Sequence, residues 1–250
     1  MVQLGIKFEI YNDDSDKLIY YTHQGLGDLI SCSSVVNYLT DTFPKKNIHY
    51  ICQSRSHAEN IEPLIRRKEN VDLFVPKDWN DGKNTDDFCH RNYFTSMAIS
   101  NNFSLILTSY SQKNENFPWD YSFYESIGLD YQIKYDHFHV DKNVLDNEES
   151  YRKLTNNEPY IFVHDDPSRG RIIRPDNKKN LKIVRNDMRY SIYDFVKIAQ
   201  NAEECHLMGS SLLCLLDFFD LDYEKCKYYF YDFRGSNVNF RGKEKWVLAR

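Results

Sequence analysis

The chain is poor in the residues that punctuate, staple or anchor a protein. Only 9 glycines and 7 prolines occur in 250 residues, without a low-complexity tract, which excludes a disordered or fibrous class over most of the length. The six cysteines, Cys32, Cys52, Cys89, Cys205, Cys214 and Cys226, form no Cys-x-x-Cys pair and no Cys/His ladder, so neither a zinc ribbon nor a disulfide scaffold is indicated. They are expected as buried thiols, packing as small hydrophobes. No apolar run approaches the roughly 20 residues of a spanning helix. Charge breaks the opening "MVQLGIKFEIYNDDSDK" too early for a signal-type segment, and a cytoplasmic location is expected. An excess of positive charge is lacking too. A net charge of −5 from interspersed acids and bases excludes a broad nucleic-acid footprint or a polybasic membrane surface. Any anion site has to be local.

What is present is alternation. Apolar residues at 41% and aromatics at 15% suffice for real cores, and the length suits two compact lobes. "KLIYYT" reads as a strand. Leu29, Cys32, Val35, Val36 and Leu39 then recur at helical spacing until Pro44 blocks continuation. "NIHYIC", "VDLFV" and "FSLILTS" read as further strands, separated by helices over Ser56 to Arg67 and Cys89 to Asn101, with a polar loop from Pro76 to Phe88. A charged, Asn-rich stretch from Phe138 to Pro159, with one weak helical segment, marks a lobe boundary. Beyond it "YIFVH", "LKIVR", "ECHLMG" and "KCKYYFYDF" read as strands, with helices over "SIYDFVKIAQNAE" and "SSLLCLLDFF". The expected fold class is therefore α/β, with two Rossmann-like lobes, 1–150 and 151–250. Ligands are expected in a cleft, at the carboxyl ends of facing strands.

Three stretches gather chemistry. In "HQGLGDLI", Gly25 and Gly27 permit positive φ and close backbone approach, and the amides opening the next helix lack intrahelical acceptors. Asp28, in that first turn, is a helix cap or a general base, and His23 at the strand end is a second candidate base. The third glycine of a dinucleotide fingerprint and the Lys-Ser/Thr of a P-loop are both missing, which disfavours NAD and ATP sites of those types. In "ECHLMGSSLLCLLDFF", Ser210 and Ser211 open a helix after a strand and act as an ordinary cap or meet a phosphate. In "YIFVHDDPSRGRIIRP", His164, Arg169, Arg171 and Arg174 make the most concentrated cationic loop, either a solvated turn or a set of forks for phosphate oxygens. Asp165 and Asp166 offer a divalent cation two carboxylates, but no third acid follows nearby, and no metal site is assigned.

"GLGDLI" after the first strand, with a second lobe that ends in strand, small-residue turn and apolar helix, resembles GT-B fold glycosyltransferases, and is similar in particular to the heptosyltransferase-type group. "HDDPSRGR" is similar to the His/Arg diphosphate loop of fucosyltransferase-like GT-B enzymes. The resemblance implies two Rossmann-like lobes facing each other across a cleft. It further implies metal-independent, inverting transfer of a sugar from a nucleotide-sugar donor to a hydroxyl acceptor such as a glycan, with no cofactor. Asp28 would be the base, Gly25 and Gly27 would shape its turn, and His164, Arg169, Arg171, Ser210 and Ser211 would hold the donor. Two other classes compete: a metal-dependent transferase or hydrolase using Asp165 and Asp166, and a nucleotide-binding module without catalysis.

Overall fold

The computed structural model describes residues 5–23, 25–77, 87–110, 117–233 and 239–249. Residues 78–86, most of the polar loop expected after Pro76, lie outside them. The chain divides into two compact units, Met1–Lys113 with Asp120–Val140, and Asn114–Trp119 with Asp141–Arg250.

The first unit runs β1 (Lys17–Tyr21), α1 (Leu26–Thr42), β2 (Asn47–Ile51), α2 (Arg55–Ile61), β3 (Val71–Phe74), α3 (Asp87–Asn101), β4 (Ser104–Leu107), α4 (Tyr121–Ser126) and α5 (Ile133–Asp136). Its four strands are parallel, in the order β3-β2-β1-β4. Strand β1 is central and leaves no side chain to water beyond Lys17, as expected of a parallel strand rich in Leu, Ile and Tyr. Helix α1 is buried on its polar as well as its apolar side. Leu29, Cys32, Val35, Val36 and Leu39 are fully buried, each worth about 1.5 to 3 kcal/mol when aliphatic and enclosed. Small polar residues between them find partners. Ser34 Oγ donates to the Lys134 carbonyl at 2.6 Å, and Asn37 Nδ2 donates to the carbonyls of Leu64 and His137, both at 3.0 Å. These bonds let a serine-rich helix sit in the middle of this unit, with Ser31 Oγ the buried hydroxyl of α1 that has no partner.

The second unit runs α6 (Lys142–Leu145), α7 (Glu148–Thr155), β5 (Tyr160–His164), β6 (Lys182–Arg185), α8 (Asp194–Asn201), β7 (Glu204–Met208), α9 (Ser211–Leu216), β8 (Lys227–Tyr231) and β9 (Val247–Ala249). Its five strands are parallel as well, ordered β6-β5-β7-β8-β9. Two Rossmann-like α/β units are thus present, as the alternation of strands and helices indicates.

Some local expectations are corrected. The helix expected from Ser56 to Arg67 stops at Ile61, and Pro63 sits in a 3-10 turn, Glu62–Leu64, because it has no N–H to continue an α-helix. The stretch after Phe138 carries two short helices rather than one. An antiparallel bridge from Ile10 to Leu105, and the last strand β9, follow from non-local pairing and were not expected. Four cysteines are buried as expected, but Cys89 is exposed and Cys214 half-buried. No described helix is long and apolar enough to cross a membrane.

Candidate functional site

In the first sheet the chain leaves β1 on one side for β2 and reaches β4 on the other side much later. The order of strands reverses between β1 and β4, and ligands of open parallel sheets bind outside the carboxyl ends at such a point. A cavity of about 270 Å³ lies there, lined by His23 after β1, Arg91 from α3, and Thr108, Ser109 and Tyr110 after β4. The Arg91 guanidinium donates to the Thr108 carbonyl, which ties the far wall together.

The turn from β1 into α1 supplies the acid-base groups. Gly25 is the helix N-cap and Asp28 the third helical residue, its carboxylate reaching back to the cap. Asp28 Oδ2 accepts the Gly25 N–H at 3.0 Å and lies 2.8 Å from His23 Nδ1. Neither Gly25 nor Gly27 takes a positive φ, so the expected use of their conformational freedom is corrected. Gly25 is extended, at φ −67° and ψ 145°, and what it provides is space. A Cβ there would stand 2.5 Å from Asp28 Oδ2, inside the hydrogen bond. Capping and a polar pair at the site are therefore one arrangement. The Tyr50 hydroxyl donates to the Leu29 carbonyl at 2.7 Å, fixing the first turn of α1 to β2.

Three neighbours of this turn escape a sequence reading: His57, Arg91 and Tyr110. Burial lowers the pKa of His57, on α2, while the charge of Asp28 opposes that shift. Its Nδ1 is buried and has no hydrogen-bond partner. Burial, and then Asp28, raise the pKa of Tyr110. The signal available in advance was position alone, since each follows or faces the carboxyl end of a strand next to β1.

The second sheet reverses its order at β5, between β6 and β7, and the candidate donor residues lie at the ends of β5 and β7. His164 is the last residue of β5, in register with Leu207 on β7. Burial holds its imidazole neutral, with the pKa lowered to about 4 against the opposing pull of Asp165 and Asp166. The loop that follows is pinned by a short bridge. The Asp166 N–H donates to the Arg171 carbonyl at 2.9 Å and the Arg171 N–H returns to Asp166 at 3.0 Å, with Gly170 at φ 68° making the turn. Here a glycine's freedom is required.

Within the loop the cations differ. Arg169 is largely exposed and faces Asp166, Nε to Oδ2, at 3.4 Å, while Ser168 Oγ donates to Asp166 Oδ1 at 2.5 Å. Arg171 is half-buried, and its Nη1 is fully enclosed without a partner, as is His164 Nδ1. Arg174 is exposed. Asp165 does not pair with Asp166 toward a common point. Its Oδ2 accepts the Ile173 N–H at 3.0 Å and an ion pair from Arg185, so its buried carboxylate braces the loop against β6. Ser210 caps α9, its Oγ accepting the Leu213 N–H at 3.4 Å. With six residues α9 has a short dipole, and Ser210 and Ser211 offer a polar edge more than a field. A second cavity of about 240 Å³, between α9 and the segment before β9, is lined by Tyr223, Phe240, Arg241 and Trp246 and holds none of these residues. Among the described residues no group of three or more His, Cys, Asp or Glu side chains is placed to hold a metal ion.

No protein-family model matches the sequence, and no curated protein matches it. Among solved structures, a glycosyl transferase of family 9 from Veillonella parvula is similar in fold, with a TM-score of 0.55 at 9% identity, covering 96% of this chain and 88% of its own. Heptosyltransferase WaaC from E. coli, solved with ADP, overlaps at a TM-score of 0.39 and 9% identity over 86% of each chain, too loosely to carry an argument. The similarity at 0.55 spans both units and is one of fold, the two-unit α/β architecture of a glycosyltransferase.

Proposed function

We propose that the protein is a glycosyltransferase that moves a sugar from a nucleotide-sugar donor to a hydroxyl acceptor, with inversion and without a required metal or cofactor. The observation that carries the proposal is the hydrogen-bonded pair His23–Asp28, at 2.8 Å, where the strand order of the first sheet reverses. Such a pair can remove the proton of an attacking hydroxyl. The first unit accordingly takes the acceptor, and the His23–Asp28 pair activates it. In the second unit, His164, Arg169, Arg171 and the edge at Ser210 and Ser211 take the donor diphosphate. Guanidinium and imidazole donors there offset the charge that grows on the leaving group. The hydroxyl oxygen attacks the anomeric carbon as the bond to the diphosphate breaks, a single displacement that inverts the centre. The fold likeness to a glycosyltransferase, and the absence of a P-loop or dinucleotide fingerprint, support this class over NAD or ATP chemistry.

The test is a melting-temperature panel of nucleoside diphosphates and nucleotide sugars against the whole chain, followed by a transfer assay with the nucleotide sugar that stabilises most. A selective shift with turnover supports the proposal. A nucleotide that binds without turnover moves the protein to the non-catalytic class. Turnover abolished by a chelator and restored by a divalent ion returns the metal-dependent alternative.

A further inference from the structure

The two members of the His23–Asp28 pair are not equivalent. Asp28 Oδ2 already accepts one hydrogen bond, from the Gly25 N–H at 3.0 Å, and His23 Nδ1 approaches the same oxygen at 2.8 Å. An ionised carboxylate only accepts, so Nδ1 has to be the ring nitrogen that carries hydrogen. The neutral imidazole then has its lone pair on Nε2. The exposures run the same way, 56% for the His23 side chain and 17% for Asp28. His23, and not Asp28, lines the cavity beside β4.

Resting on the assignment of the first unit to the acceptor, we infer that His23 is the base: the acceptor's hydroxyl proton passes to His23 Nε2, and Asp28 is a positioning residue that fixes the ring. As the new carbon–oxygen bond forms, the pair of electrons of the breaking bond leaves with the diphosphate. The proton that the hydroxyl gives up makes an imidazolium, which the adjacent Asp28 carboxylate stabilises until solvent takes the proton. Among the described residues, Tyr110 after β4 and Arg91 from α3 line the cavity with His23, and the charge of Asp28 reaches His57 on α2 and Tyr110. His57 and Tyr110 are neutral near pH 7, and Arg91 sets a positive charge on the far wall. Asp28 is the anionic group among these described residues and bonds His23 directly, so its removal should be felt by the ring.

The experiment has two arms on the whole chain. In the first, histidines are labelled with ¹⁵N and the His23 tautomer is read by NMR in wild type and in Asp28→Asn. The expected result is an Nδ1–H tautomer in wild type that is lost or mixed in the variant. An Nε2–H tautomer in wild type overturns the inference, whether or not the protein transfers sugar. In the second arm, kcat is followed against pH for wild type, His23→Gln and Asp28→Asn, with melting temperatures alongside. His23→Gln should lose about 100-fold or more at unchanged melting temperature, and with it the acid limb near the imidazole range. Asp28→Asn should lose less and keep an acid limb, moved to lower pH. If His23→Gln retains activity within about threefold, with the wild-type profile, while Asp28→Asn is inactive, Asp28 is the base and the inference fails while the glycosyltransferase proposal stands. Absence of transfer from every nucleotide sugar defeats that proposal instead, and the tautomer still decides the dyad.

Discussion

At the turn from β1 into α1 the charged and capping groups satisfy one another, whereas at the end of β5 and the loop after it two cation-forming side chains are left without a partner. His23, Asp28 and Gly25 close a local set of hydrogen bonds, and deeper in the same unit Lys134 lies 2.6 Å from Asp120 Oδ2 while the Tyr131 hydroxyl donates to Oδ1 at 2.7 Å. In the second unit His164 Nδ1, at the end of β5, and Arg171 Nη1, seven residues later in the loop that follows, are enclosed with no partner. The crossovers differ in parallel. Between β1 and β2 the chain makes a 17-residue helix, but between β5 and β6 it makes only a 3-10 turn and extended chain, with Ile173 and Leu181 covering the sheet. A crossover without a helix leaves its residues free to serve a site. Proton chemistry wants groups oriented beforehand by each other; ligand capture leaves donors that only the ligand completes.

That contrast can be broken most severely at the satisfied end. Lys134 and Asp120 are 2% and 1% exposed, so removal of one charge strands the other. Lys134→Met or Asp120→Leu should each cost about 3 to 5 kcal/mol in urea unfolding, and the double substitution should recover most of it. Additive losses would show that the two charges do not depend on each other.

The next effect belongs to the second unit and to pH. His164 titrates at about 4 in the fold rather than at its ordinary 6.5, because burial penalises the charged ring. Between those values the unfolded chain binds more protons, so this contribution is complete above pH 6.5 and is lost as pH falls toward 4. The loss should approach about 3 kcal/mol, from about 1.4 per pH unit. His164→Asn should flatten the stability curve over that window. Other buried histidines, such as His49 and His206, also have lowered pKa values, so only the difference between the variant and wild type isolates His164. An unflattened curve would mean that His164 is not held neutral by the fold.

A smaller effect tests how tightly the first site is drawn. Gly25→Ala places a methyl 2.5 Å from Asp28 Oδ2, though the backbone conformation itself suits alanine. The carboxylate has to swing away from both the cap N–H and His23. Stability should fall by about 1 kcal/mol, the scale of a lost cap, and transfer should fall as it does in Asp28→Asn. An alanine variant with full transfer would separate the cap from the chemistry.

These cases also mark what can be read from sequence. Strand β1, helix α1 and the turn between them were legible, because Leu29, Cys32, Val35, Val36 and Leu39 set a period and Pro44 ends it. The two-unit α/β architecture followed from the alternation of such segments. The His23–Asp28 bond was less so, since it depends on a side chain turning back across a cap and on the space that Gly25 leaves. His57, Arg91 and Tyr110 reach the site from other strands and helices, and no local pattern announces that. In the second unit Asp165 looked like half of an acidic pair until Arg185, 20 residues later, claimed it. Ionic partners are chosen by the packing of strands, which the spacing of residues does not encode.

The smallest expected stability change carries the sharpest version of the contrast. Arg169 already faces Asp166, with Ser168 bonded to the same carboxylate, and Arg171 adds only a smaller electrostatic pull on it. An enclosed guanidinium nitrogen with no acceptor costs free energy in the unliganded fold, about 1 to 3 kcal/mol for a buried group left unmade, partly relieved by whatever of the side chain reaches water. Replacing it with an apolar side chain of similar length removes that cost and some packing is kept. Arg171→Met should therefore leave stability within about 0.5 kcal/mol of wild type, or raise it, while affinity for a nucleoside diphosphate falls by roughly 10-fold or more. Lys134→Met makes the same chemical change where the charge is paired, and should do the reverse, costing stability heavily. The measurements are urea unfolding without ligand and calorimetry with the nucleotide found by the melting panel. If Arg171→Met loses stability and keeps affinity, Arg171 is a structural cation like Lys134, and the loop after β5 is built to hold itself rather than a ligand.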